Sequence, residues 1–175
     1  MVAKMRNMGE ACTAANRFYV HEKNYPKFLA RFTEYAKGLK LGDGLEKGIT
    51  LGPVANPRRL DAMESFVNDA KARGGKIVTG GSRQGNQGFF FQPTVITDVP
   101  DDSKIMTEEP FGPLAPIVTF KTFDEVVERA NSLEYGLAAY AFTSSEKTAA
   151  AIGDAIQSGM VGVNSVAVST PETPF

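Results

Sequence analysis

Cys12 is the only cysteine in a chain of 175 residues, and it follows a glycine that interrupts a helical pattern, in the stretch Arg6-Asn7-Met8-Gly9-Glu10-Ala11-Cys12. A thiol there has two readings. As a thiolate it is a nucleophile toward electrophilic carbon; buried, it is an inert, small apolar filler. Composition leaves both open. Much further along, Glu108-Glu109-Pro110-Phe111-Gly112-Pro113 sets carboxylates against an aromatic in a turn-rich segment. Taken alone, Glu109 reads as a solvated loop charge and Arg6 as a surface charge on a helix. His21, the single histidine, stands beyond a short strand from Cys12 and reads as a surface or capping residue. One cysteine and one histidine exclude a disulfide framework and a Cys/His metal cluster, so no metal site is expected.

The balance of charge narrows the partners. Nineteen Lys and Arg against twenty Asp and Glu give a net charge of -1, and no basic run could neutralise a row of phosphates. Nucleic acid is therefore not an expected partner. No stretch approaches the roughly 20 apolar residues that span a bilayer, and the N-terminus lacks a charged-then-apolar signal pattern. The expectation is a cytoplasmic protein with no membrane partner. With 42% hydrophobic and 22% charged residues, the chain can bury a sizeable core as one domain.

The elements that must position these residues follow from periodicity. Lys4, Met5 and Met8 read as the last turn of a helix stopped by a left-handed Gly9, so the chain is expected to begin mid-element. Arg17 to His21 is a short strand. From Tyr25, the residues Phe28, Leu29, Phe32, Tyr35, Ala36 and Leu39 form one apolar helical stripe, whose expected role is core packing. A glycine-rich loop follows, without the spacing of a phosphate-binding loop. Asn56-Pro57 opens a helix whose buried face is Leu60, Met63, Phe66, Val67 and Ala70. Lys76 to Thr79 and Pro93 to Ile96 are strands, and three consecutive phenylalanines, Phe89 to Phe91, cannot share one face.

Ala115 to Phe120 is the next strand. Thr122 to Glu125 reads as a capping box opening a helix with Phe123, Val126, Val127, Ala130 and Leu133 inward. Leu137 to Phe142 reads as a strand covered on both faces. Thr143 to Glu146 reads as a second capping box, and Met160 to Asn164 as the last strand. Strands alternating with helices define an α/β fold with a largely parallel sheet flanked by helices.

Against this background Arg6-Asn-Met-Gly-Glu-Ala-Cys-Thr-Ala-Ala-Asn-Arg17 resembles the nucleophile segment of the aldehyde dehydrogenases, and Glu108 to Pro113 is similar to that family's second signature. Both occur in family order, with matching text between and after them. Glu109-Pro-Phe-Gly-Pro-Leu-Ala-Pro116, Gly136-Leu-Ala-Ala-Tyr140, Gly159-Met-Val-Gly-Val-Asn164 and Ser169 to Phe175 resemble the NAD(P)-dependent succinate-semialdehyde dehydrogenase branch. The resemblance implies oxidation of a small-molecule aldehyde, with NAD or NADP as cofactor in a complete, homo-oligomeric enzyme. It implies that Cys12 is the catalytic nucleophile, its backbone N–H an oxyanion donor, Glu109 the holder of the nicotinamide ribose and Phe111 its neighbour. It also implies that Arg6 and Ser169 hold the far carboxylate of the substrate.

Two residues depart from the family pattern. Glu10 stands where the family usually has Gln, and a carboxylate close to a thiol disfavours the thiolate. Ala14 stands where some members of the branch carry a second cysteine, so a disulfide switch at that pair is excluded. The family's general-base glutamate lies in a Glu-Leu-Gly-Gly context that this sequence lacks. The expectation for residues 1–175 is thus the thiol-bearing catalytic domain, without the upstream nucleotide-binding domain or the C-terminal assembly strand, and inactive by itself. The competing class is a self-contained domain that uses the scaffold to bind a partner or an acyl group without redox turnover.

Overall fold

The computed structural model describes residues 2–169. Of the closing text Ser169 to Phe175, everything beyond Ser169 lies outside the described residues. The chain packs as two units, Met1–Phe120 and Lys121–Phe175. The pattern is α/β, with three of the four strand pairings parallel.

The first unit is built on a four-stranded sheet in the order β1-β4-β3-β2. Its strands are β1 (Phe18–His21), β2 (Lys76–Thr79), β3 (Thr94–Thr97) and β4 (Leu114–Phe120), with the short helix α4 (Lys104–Thr107) between β3 and β4 in sequence. β4 runs parallel to β1, with Phe18 opposite Ile117, and parallel to β3, with Val95 opposite Ala115. β2 is antiparallel to β3, and its register slips between Ile77 and Thr79. Because side chains alternate across a strand, the central strands feed two cores. Ile96, Leu114 and Val118 face α3 (Pro57–Ala72), joining Leu60, Met63, Phe66 and Val67. Val95, Ala115 and Ile117 face α2 (Tyr25–Gly38), joining Phe32 and Ala36. Each buried aliphatic or aromatic side chain contributes about 1.5–3 kcal/mol relative to exposure.

The entry of α3 uses the signal in the sequence. At α3 the Asn56 side chain accepts from the Arg59 N–H at 3.2 Å, with Pro57 in the first turn, where a missing N–H costs nothing. At α2 one member of the apolar stripe falls outside the core: Tyr35 is exposed, because it sits at the margin of the face that Phe32 and Ala36 centre. The phenylalanine triplet divides among three environments, ahead of β3 rather than within a strand. Phe91 is fully buried, Phe90 half-buried and Phe89 exposed.

The second unit contains α5 (Phe123–Ala130), β5 (Ala138–Ala141), α6 (Glu146–Ala155) and β6 (Met160–Val163), with β5 and β6 in a two-stranded parallel sheet. Here two expectations change. β5 is half-buried along its length and the adjoining Leu137 and Phe142 are exposed, so its faces are not both covered. The cap of α6 is Ser145, whose hydroxyl accepts from the Thr148 N–H at 3.2 Å. Thr143 instead accepts from the Ser145 N–H at 3.1 Å, a local turn that precedes the helix. At α5 the Thr122 hydroxyl accepts from Glu125 as expected, while the Glu125 carboxylate reaches back one residue further, to the Lys121 N–H at 2.9 Å.

Candidate active site

The segment carrying Cys12 is fixed at its root by burial on both sides of the sheet. α1 (Val2–Met5) ends at Met5, earlier than the expected stop at Gly9, and Met5 enters the core under α2. Met8 enters the core under α3. Between and beyond them Asn7 (φ 51°), Met8 (φ 59°) and Gly9 (φ 73°) take the left-handed conformation in succession. For a residue with a Cβ that conformation costs roughly 1–3 kcal/mol; it is offset here by the burial of Met8 and by reciprocal bonds at Asn7. The Glu10 N–H donates to the Asn7 carbonyl at 2.9 Å, and the Asn7 side-chain amide donates to the Glu10 carbonyl at 2.9 Å.

Past this turn Cys12 is exposed as a free thiol. Its backbone N–H has no backbone acceptor among the hydrogen bonds of the described residues. The exit of the loop is tied to its entry: Ala15 N–H donates to the Ala3 carbonyl at 2.8 Å, and Lys4 Nζ donates to Asn16 Oδ1 at 3.3 Å. Arg6 is exposed on the same segment. Glu10 does not turn toward the thiol. Its carboxylate accepts from the Ala55 N–H at 3.0 and 3.2 Å, just ahead of α3.

The second motif meets the first directly. A Cβ on Gly9 would lie 2.3 Å from the Gly112 carbonyl oxygen, and one on Gly112 would lie 2.2 Å from the Met63 sulfur. Glycine at position 9 therefore lets the two segments touch backbone to backbone, and glycine at 112 leaves room for the Met63 side chain of α3. Immediately before Gly112, Phe111 is half-buried at φ 42°, and Glu109 is exposed. The Arg59 guanidinium donates to the carbonyls of Pro110 and, at 3.2 Å, Phe111. Gly112 and Pro113 then lead into the sheet, where the Pro113 carbonyl accepts from the Thr94 N–H at 2.8 Å.

One charged group sits inside this junction. Lys4 is fully buried, and burial lowers its pKa from 10.5 to about 7, the negative charge of Glu109 working in the opposite direction. Sequence reading missed Lys4, Arg59 and Met63 as parts of the site. A lysine at the end of a short helix and an arginine in the first turn of an amphipathic one carry no pattern that marks them. Of the expected site residues, Cys12, Arg6, Glu109 and Phe111 all belong to the first unit. Ser169 belongs to the second, where it is exposed. Among the described residues no cluster of His, Cys, Asp or Glu could hold a metal ion, and no helix is long and apolar enough to cross a membrane.

With this geometry in hand, comparison with known proteins gives the class. The chain belongs to the aldehyde dehydrogenase family, whose model matches residues 1–175. It is 42% identical over 173 residues to a probable succinate-semialdehyde dehydrogenase [NADP(+)] of Sinorhizobium fredii, covering 99% of this chain and 35% of that protein. It is 40% identical over 175 residues to a 3-sulfolactaldehyde dehydrogenase of Pseudomonas putida, covering 100% of this chain and 36% of the relative. Among solved structures, succinate-semialdehyde dehydrogenase from Burkholderia pseudomallei superposes with a TM-score of 0.96 at 40% identity, over 99% of this chain and 36% of that one. The chain thus spans about a third of the length of these relatives.

Proposed function

We propose that this chain is the thiol-bearing catalytic portion of an NAD(P)-dependent aldehyde dehydrogenase acting on a short aldehyde with an anionic far end, succinate semialdehyde above all. The observation that carries the reading is the backbone contact between Gly9 and Gly112, which holds the exposed Cys12 segment against the exposed Glu109 segment. In this reading the Cys12 thiolate adds to the aldehyde carbon, a C–S bond forms and the carbonyl pair moves to oxygen, where the Cys12 N–H donates to it. NAD or NADP, when bound, supplies the acceptor for hydride from that carbon, and so the route from adduct to thioester. Glu109 fits such a group: its carboxylate is exposed and has no hydrogen bond or ion pair among the described residues, leaving both oxygens to accept from a ribose diol. Phe111 offers its ring beside it. Hydrolysis of the thioester returns the thiol and releases the acid.

Arg6 supports the substrate class. Its exposed guanidinium stands on the nucleophile segment itself and, as a planar fork of donors, suits a carboxylate; the family resemblance alone adds the Ser169 hydroxyl as a second donor. Both relatives are named for aldehydes that carry an acid group, one a carboxylate and one a sulfonate. The test is protection of Cys12 from alkylation. Succinate semialdehyde should slow alkylation by adding reversibly to the thiol, and Arg6→Ala should weaken that protection about ten- to a hundred-fold, the scale of a lost charged hydrogen bond. Butanal should protect wild type and Arg6→Ala alike. Equal loss with both aldehydes would mean that Arg6 shapes the loop rather than reads the substrate.

A further inference from the structure

The N-terminal end of α3, from Ala55 ahead of its cap to Arg59 in its first turn, touches both motifs. On one side the Glu10 carboxylate, on the Cys12 segment, accepts from the Ala55 N–H at 3.0 and 3.2 Å. On the other, Arg59 Nη2 donates to Pro110, and to Phe111 at 3.2 Å, on the Glu109 segment. Asn56 locks the two ends of this bridge together, because its side chain and its carbonyl both accept from the Arg59 N–H, at 3.2 and 3.1 Å. Phe111 is the residue that most needs holding: it is not glycine, yet its φ is 42°. The arginine is committed to that task at a cost, since its Nε is buried without an acceptor among the described residues.

We propose that Arg59 is a positioning residue, which clamps the left-handed turn at Phe111 and thereby fixes where Glu109 is presented, with Glu10 setting the same helix end against the nucleophile segment. This deepens the proposed function and rests on it for the role of Glu109, whereas the clamp itself stands on the contacts alone. The acceptor that Ala55 requires at position 10 could be a carboxylate or an amide oxygen, and here it is the carboxylate of Glu10.

The clamp and its consequence are separable by experiment. Amide exchange followed residue by residue in Arg59→Met should quicken about tenfold at Leu114, whose N–H donates to the Gly112 carbonyl at 2.9 Å, as the turn loses its charged donor, with β2 and the interior of α3 unchanged. Arg59→Lys, which keeps one donor, should restore part of the protection. In the complete enzyme Arg59→Met should raise KM for NAD(P) while leaving kcat and the aldehyde KM within about twofold, because a merely destabilised protein loses active molecules and therefore kcat. Unchanged exchange at Leu114 would overturn the clamp. Faster exchange with an unchanged KM for NAD(P) would overturn its link to Glu109. A complete wild-type enzyme without aldehyde-dependent NAD(P) reduction would remove the proposed function, and the exchange result would still decide the clamp.

Discussion

The two units of this molecule use the same α/β vocabulary and arrive at different interiors. In Met1–Phe120, residues from every strand except β2 and from both long helices are sealed, with Phe91, Ile96, Ile105, Leu114 and Ile117 at 0% exposure. In Lys121–Phe175, Gly162 is the only buried one among the described residues, and Tyr135 and Phe142 stand 78% and 67% exposed. What orders the second unit is polar and local. The Asn131 side chain accepts from Gln157 and donates to the Ala155 carbonyl, while Asn164 accepts from and donates to the Thr143 backbone, both bonds at 2.9 Å. The lesson is that amphipathic pattern chooses which face turns inward, whereas burial needs a second surface to meet it.

The sharpest attempt to break this contrast is a pair of truncations. Phe91→Ala should cost about 3–5 kcal/mol, since it empties a fully packed site, and Phe142→Ala should stay within about 0.5 kcal/mol. Urea denaturation read by fluorescence and by exchange would check both; a comparable loss at Phe142 would show a hidden interior in the second unit.

A smaller effect tests the charge buried in the first unit. Lys4 has a lowered pKa when folded, so between about pH 7 and the unfolded value of 10.5 the unfolded chain binds more protons, and folding stability rises with pH across that window. Below about 7 the cost of burying the ammonium is present in full. Relative to Lys4→Met, wild type should therefore gain about 2–3 kcal/mol between pH 7 and pH 9. A difference independent of pH would mean that Lys4 keeps its ordinary basicity.

The smallest effects belong to the local devices of the second unit. Ser145→Ala should cost about 1 kcal/mol by removing the cap of α6, seen as faster exchange in α6 with β3 and β4 unmoved. Thr143→Ala should cost less, because its hydroxyl closes only the turn ahead of the helix. The reverse order would restore Thr143 as the cap.

These particulars show what the sequence made legible. α3 and β2 are found where periodicity, cap and proline place them, because each signal is local. Family likeness is what raised Cys12, Glu109, Phe111 and Arg6 as candidates, whose types alone were ambiguous. The left-handed Asn7 and Met8 were not legible: neither residue demands that conformation, and it is imposed by two cores claiming Met5 and Met8 from opposite sides of the sheet. Lys4 was hidden because charge normally signals exposure, and Arg59 because its partners are carbonyls distant in sequence.

The meeting of Gly9 with Gly112 matters to anyone who would move the proposed thiol chemistry elsewhere. Since neither position has room for a Cβ and Met63 backs one of them, the thiol loop has no independent shape to transplant. A recipient scaffold given only Arg6 to Arg17 would receive a cysteine and none of its aim. The smallest portable unit is the pair of loops together with the helix turn behind them, so inheritance, recombination and design must all carry these pieces as one cassette.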